Sequence, residues 1–249
     1  MGVFRFKRFS VKDDISAMKV GTDGVLLGAV TDVRECDREV LDIGTGTGLV
    51  ALMLAQRLAD VSDEFTITGI DIDSGASKEA DENFDNSPWA SHLRSVNLSL
   101  AGFSGSYPDS KFDIIVSNPP FYDSSLKAPD SRRNLARHFS EGEPSLSYKD
   151  ILAYAGCHLS ENGLAWLILP AAVEEDVLRS GRELGLWPRK ILRIRTVRTK
   201  APSRIIMSFG LGRVEPECDE LTLLDDERRR TSRHASLTGE YYLTNLTTH

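Results

Sequence analysis

Cysteine is scarce in this chain: three in 249 residues, Cys36, Cys157 and Cys218, far apart and without a CxxC pair. Neither a disulfide framework nor a zinc cluster is indicated, and the thiols are expected to be reduced and buried. No apolar run approaches the roughly 18 residues that a membrane-spanning helix needs. The start, MGVFRFKRFSVKDD, is basic and aromatic and lacks an apolar signal core. A cytoplasmic protein with no membrane partner and no metal is expected. Positive charge is also in deficit, because 30 Lys and Arg against 37 Asp and Glu leave a net −7. That balance speaks against a protein that coats nucleic acid by neutralising phosphates.

What is present is enough apolar residue, 41%, to bury one sizeable core. EVLDIG (39–44) reads as a short buried strand and LVALMLAQRLAD (49–60) as a helix rich in Ala and Leu. TITGIDI (66–72) is strand-like, SKEADENF (77–84) suits a polar-faced helix, RSVNLSL (94–100) alternates, and KFDIIVS (111–117) closes a fourth strand. Farther on come a helix over 148–159, an apolar strand over 163–169 and an amphipathic helix over 171–184. KILRIRTV (190–197) and RIIMSFG (204–210) read as a terminal antiparallel hairpin. Strands alternating with helices predict an α/β fold, a doubly wound Rossmann-like sheet with its ligand crevice at the carboxyl ends of the strands.

The first strand runs into Asp42-Ile43-Gly44-Thr45-Gly46-Thr47-Gly48, where glycines permit a tight turn and close approach of backbone to a ligand. The spacing is GxGxG, with Leu49 where a dinucleotide fingerprint places its third glycine, so a dinucleotide is disfavoured. No GK[ST] follows, which removes a phosphate-cradling P-loop. Asp71 ends the second strand at the separation where such folds hold ribose hydroxyls with a carboxylate, and Asp73 is the alternative in register. Together these features point to a nucleoside-bearing cofactor.

LDIGTGTG and GIDID resemble the first and second motifs of the class I S-adenosylmethionine (SAM) dependent methyltransferases, over residues 1 to about 210. SNPPFY (117–122) resembles the (N/D)PP(Y/F) signature of members that methylate planar amide-like nitrogens. An exocyclic amine on a heteroaromatic ring is a poor nucleophile, because its lone pair is delocalised. Asn118 through its side-chain oxygen and Pro119 through its carbonyl would each accept one N–H, localising the lone pair and aiming it at the methyl donor. Pro119 and Pro120 fix φ and remove two N–H groups from the loop. Phe121, with Tyr122 as second choice, would stack on an extruded base, a contact worth about 1–3 kcal/mol in other systems.

Within that superfamily, FRFKRFSV and MKVGTDGVLLGA (18–29) are similar to segments of the tRNA (adenine-N6)-methyltransferases that modify position 37 of a valine tRNA. The resemblance implies SAM as cofactor, tRNA as partner, and a single domain: an N-terminal cap segment 1–38, a catalytic core 39–210 and a tail 211–249 packed on it. Its cofactor residues would be Gly21, Thr22, Asp23, Asp42, Gly44, Thr45, Gly46, Gly48, Asp71, Ile72 and Asn118. Thr22 or Asp23 could cap the helix that begins near Gly24, and the turn at Gly21 could close over the methionine moiety. RNLARH (133–138) is like the family's RxxARH element and would place Arg133, Arg137 and His138 near the substrate, as would Arg195, Arg198 and Lys200 in the hairpin. LTGEYYL (237–243) also resembles the family's closing pattern.

Two departures stand out. Such families carry an acidic residue after the third strand, whereas this chain has Leu100-Ala101-Gly102-Phe103, and reduced SAM affinity is expected from the missing carboxylate near Gly102. The last third is also split by charge: Arg189 to Arg204 holds seven bases and no acid, and Glu215 to Glu227 seven acids and no base. The acidic stretch either folds away from the basic hairpin or masks it. Other readings are an rRNA guanine 2-amino methyltransferase, a protein glutamine methyltransferase, disfavoured by the short segment before the glycine loop, and a degenerate SAM- or RNA-binding scaffold.

Overall fold

The computed structural model describes residues 2–120 and 146–243. Ten strands and seven α-helices are present among these residues. The chain opens with a hairpin, β1 (Val3–Arg5) and β2 (Ser10–Lys12), and α1 (Thr22–Val30). Then β3 (Glu39–Ile43), α2 (Leu49–Ala59), β4 (Thr66–Asp71), α3 (Ser74–Asp85), β5 (Leu93–Asn97), α4 (Leu100–Ser106) and β6 (Phe112–Ser117) alternate. After residue 146 come α5 (Tyr148–His158), β7 (Leu159–Pro170), α6 (Glu174–Glu183), β8 (Leu186–Val197), β9 (Arg204–Leu211), β10 (Glu217–Leu224) and α7 (Ser232–Thr238).

Eight strands form one sheet in the order β10-β8-β9-β7-β6-β3-β4-β5, with β9 antiparallel to both neighbours and every other pair parallel. The doubly wound expectation holds, and so does the hairpin, though β9 inserts between β7 and β8. The strands bury both faces. Ile114 and Val116 of β6 point to the layer of α1 and α2, while Ile115 points to the layer of α5 and α6, and Trp166 and Leu167 of β7 divide in the same way. Continuous apolar runs such as IIV and AWLIL follow from this two-sided burial.

The N-terminal hairpin is tied to the end of the chain. Phe6 stacks on Phe9 with centroids 4.6 Å apart, lies 5.9 Å from Tyr242, and pairs with Tyr242 in a β-bridge, while the Lys7 amide donates to the Tyr241 carbonyl. The aromatic start and the closing LTGEYYL are thus two halves of one packing unit.

Two expectations are corrected and one open alternative is decided. Cys36, Cys157 and Cys218 are all exposed rather than buried. α1 is capped by the extended backbone of Gly21, with no side-chain bond from Thr22 or Asp23. The acidic stretch does not fold away: Glu217–Leu224 forms β10 and pairs in parallel with the basic strand β8, because its Leu221 can bury fully beside Ile194. No helix among the described residues is long and apolar enough to cross a membrane.

Candidate active site

The sheet reverses direction of progression at β3, which lies between β4 and β6, and ligands in such sheets bind at the carboxyl ends flanking that point. Ile43 stands opposite Ser117, and the Ser117 hydroxyl donates to the Ile43 carbonyl at 2.7 Å. The strand register therefore delivers the glycine loop and Asn118 side by side. A cavity of about 440 Å³ opens there, within the range of small-molecule sites.

Most of the sequence-derived cofactor residues meet at this cavity. Gly21, Thr22 and Asp23 line it from the start of α1, and Asp42, Gly44, Thr45 and Gly46 from the glycine loop, with Asn118 closing the far side. Gly48, Asp71 and Ile72 do not line it. Gly48 adopts φ +80°, and a Cβ there would meet the Phe84 ring at 2.4 Å, so this glycine serves the packing of the loop on α3. Asp71 shapes the loop: it accepts the Gly46 and Asp73 amides, each at 2.9 Å. Burial raises its pKa, opposed by those amide bonds. Asp73, the alternative in register, is spent on capping α3 through the Ala76 amide at 2.9 Å. Ile72 stands exposed just beyond, its carbonyl bonded by Asn97.

Asp42 is buried beneath the loop, takes the Thr45 hydroxyl at 2.8 Å, and is pushed up to about 7 by burial, against the pull of the Thr45 and Ala51 bonds. Asp23 pairs with Arg204 at 2.8 Å, linking the start of α1 to β9. Gly102 lies in the first turn of α4, its amide given to the Ser99 hydroxyl, and does not line the cavity. A carboxylate at Gly102 would sit in a capped helix.

Sequence reading missed the fastening of the segment 13–20. Glu79 on α3 is fully buried and accepts the amides of Asp14, Ile15 and Ser16 at 2.6, 2.8 and 2.8 Å. One turn on, Asn83 accepts the Lys12 amide and donates to the Lys12 and Thr47 carbonyls at 2.8–2.9 Å. Both walls of the cavity therefore hang on α3. The signal was present: Glu79 and Asn83, four apart, share a helical face with the buried Ala76, Ala80 and Phe84. The wall so fixed brings Met18 and Lys19 to the cavity. The Asn118 amide nitrogen donates to the Met18 sulfur at 3.2 Å, while its Oδ1 is buried without a partner among the described residues.

Pro119 is buried and Pro120 half-buried behind Asn118. Phe121, Tyr122, Arg133, Arg137 and His138 lie outside the described residues.

The family described as the methyltransferase small domain matches residues 17–142, which spans the glycine loop, Asp71 and Asn118. The chain belongs to this family. A tRNA1(Val) (adenine(37)-N6)-methyltransferase of Flavobacterium psychrophilum is 40% identical over 97% of this chain and 99% of its own length. The protein of the same name from Bacteroides fragilis is also 40% identical, over 96% of this chain and 97% of its own. Among solved structures, a predicted O-methyltransferase of Agrobacterium tumefaciens superposes with a TM-score of 0.64 at 17% identity, covering 88% of this chain and 96% of that one. A T. thermophilus 16S rRNA N2 G1207 methyltransferase in complex with AdoMet and guanosine gives 0.54 at 18% identity, covering 85% of this chain and 50% of that one. At those identities the structural likenesses establish the class I methyltransferase fold alone.

The hairpin cations divide. β7 and β8 run parallel through the antiparallel β9, so the turn between β8 and β9 lies at the same edge of the sheet as the cavity. In that turn Arg198 and Lys200 are exposed, with no ion-pair partner among the described residues. Arg195 is different: it is paired with Glu220 of β10. Arg193 is likewise held by Glu174, and Lys190 lies 3.5 Å from Asp32 and 3.8 Å from Glu217.

Proposed function

We propose that this protein transfers a methyl group from SAM to the 6-amino nitrogen of an adenine in tRNA, at position 37 of a valine tRNA. The observation that carries the reading is Asn118: it follows β6 beside the cavity, in the sequence NPP, with a buried oxygen that has no partner among the described residues. A buried unsatisfied acceptor costs on the order of 1–3 kcal/mol, and at the edge of the cavity a substrate N–H is a donor that would relieve it. The curated relatives that match nearly end to end carry the same activity in their names.

The residues present fit SAM. The cavity is large enough, and residues at the start of α1 and of the glycine loop line it together with Asp42. When bound, the sulfonium supplies a methyl that is already activated. The chain's task is then to hold the amine. Asn118 Oδ1 accepts one N–H of the adenine and the Pro119 carbonyl accepts the other, so the nitrogen lone pair faces the cavity. The two prolines keep both acceptors fixed. No strong base is required, because the proton made surplus by N–C bond formation can pass to water. Phe121 and Tyr122 are proposed to stack on the base, and Arg133, Arg137, His138, Arg198 and Lys200 to meet the RNA backbone.

The test is methylation of unmodified total tRNA by the purified protein with labelled SAM, followed by nucleoside analysis. Label in N6-methyladenosine is expected. Label in guanosine transfers the case to a guanine 2-amino enzyme, and no label in any nucleoside defeats the enzymatic reading.

A further inference from the structure

A side-chain amide can place either its oxygen or its nitrogen toward a substrate, and only the oxygen accepts from an amine. Asn118 therefore needs a neighbour that distinguishes its two ends. Two backbone prolines follow it, and the only hydrogen bond of its side chain among the described residues is the one from Nδ2 to the sulfur of Met18, at 3.2 Å. A thioether accepts and cannot donate. Met18 can thus bind the nitrogen end and never the oxygen end.

We infer that Met18 is a positioning residue that sets the Asn118 amide in its accepting orientation; the inference rests on the reading that Asn118 grips the substrate amine. Three observations converge on it. Asn118 Oδ1 is left buried and unpartnered by this orientation. Met18 is 40% exposed and lines the cavity rather than the core. Its backbone is not free to drift, because Asp14 to Ser16 are pinned on Glu79 and the Ser16 hydroxyl donates to the Met18 carbonyl at 3.3 Å. A methionine at the end of so well anchored a loop acts as a fixed acceptor.

The test uses Met18→Leu, which keeps volume and removes the acceptor. With tRNA as substrate, kcat is expected to fall about tenfold while the SAM dissociation constant stays within twofold. In the 15N spectrum of the same protein, the Asn118 side-chain amide protons, assigned by their loss in Asn118→Asp, should exchange with solvent several-fold faster. An unchanged kcat, a fall matched by equal weakening of SAM binding, or an unchanged amide exchange rate would each overturn the inference. The exchange measurement needs no turnover. If wild-type protein fails to methylate tRNA, the proposed function falls by itself, while the contact between Met18 and Asn118 is still decided by the spectrum.

Discussion

The cofactor corner and the basic hairpin lie at the same edge of one sheet, yet they are built on opposite principles. In the corner, polar groups are bound by backbone: Glu79 takes three amides, Asp71 two, Asn83 two carbonyls and an amide. Asp42 takes a side chain, the Thr45 hydroxyl, and Asn118 Oδ1 has no partner among the described residues. In the hairpin, polar groups are bound by other side chains: Arg193 to Glu174, Arg195 to Glu220, Arg204 to Asp23. Backbone partners fix geometry whatever the solvent, whereas exposed ion pairs are each worth about 0–1 kcal/mol and weaken with salt. Among the described residues, the corner is a rigid instrument with an open acceptor at Asn118, and the hairpin is a surface whose strand cations are largely partnered while Arg198 and Lys200 of its turn have no ion-pair partner.

The largest effect is expected where the open acceptor is removed. Asn118→Ala should lower kcat by about 10²–10³-fold or more, the scale of losing one preorganised polar contact to a reacting group, while SAM affinity stays within a few-fold in calorimetry. Wild-type turnover in that variant would erase the distinction between the corner and any ordinary loop.

Next comes the anchor. Glu79→Gln preserves shape but turns an NH₂ toward backbone donors, and bonds to a buried carboxylate are worth about 1.5–3 kcal/mol each. A loss on the order of 3 kcal/mol in denaturant unfolding is expected, with weaker SAM binding because the 13–20 wall loosens. A silent substitution would mean that the hairpin-to-α1 segment is held by something else.

How far the sequence foresaw these two regions follows from the same contrast. The glycine loop, Asp42, the start of α1 and Asn118 were legible because each is a local pattern whose role needs only its own strand and turn. The packing role of Gly48 was not legible, since its φ is local but its contact with Phe84 is 36 residues away. Glu79 went unnoticed for a related reason: a carboxylate in a polar helix reads as solvated, and only tertiary contact with residues 14–16 buries it. β10 was missed because acidic residues at 215, 217, 219 and 220 mask a strand whose pairing is paid for by Arg195, Lys190 and Leu221 on or beside β8. The exposed cysteines show the converse, a residue type that is usually buried placed on the outside.

A smaller effect separates the corner's electrostatics from its geometry. Asp42 keeps its proton in the folded state up to about pH 7, against an ordinary aspartate value of 3.8. Between those values the folded state binds more protons than the unfolded one, so stability falls as pH rises across the window and levels off above it. Asp42→Asn cannot titrate and still accepts the Thr45 hydroxyl. Its unfolding free energy should lose on the order of 2 kcal/mol less than wild type between about pH 5 and 7. Parallel pH profiles would show that Asp42 is ionised in the folded protein.

The smallest effects test the hairpin. Arg198 and Lys200 face solvent at the cavity edge, and each phosphate contact contributes about one unit to the slope of log affinity against log salt. Arg198→Ala with Lys200→Ala should therefore flatten that slope for tRNA by up to about two units, measured by filter binding at several salt concentrations. Arg195→Ala is the control that sharpens the comparison: its charge is already answered by Glu220, so removing it should leave the slope within error and cost at most about 1 kcal/mol of stability. If Arg195→Ala flattens the slope as much as the turn variant does, the pair with Glu220 opens on RNA binding, and β10 would be a displaceable shield rather than a fixed strand.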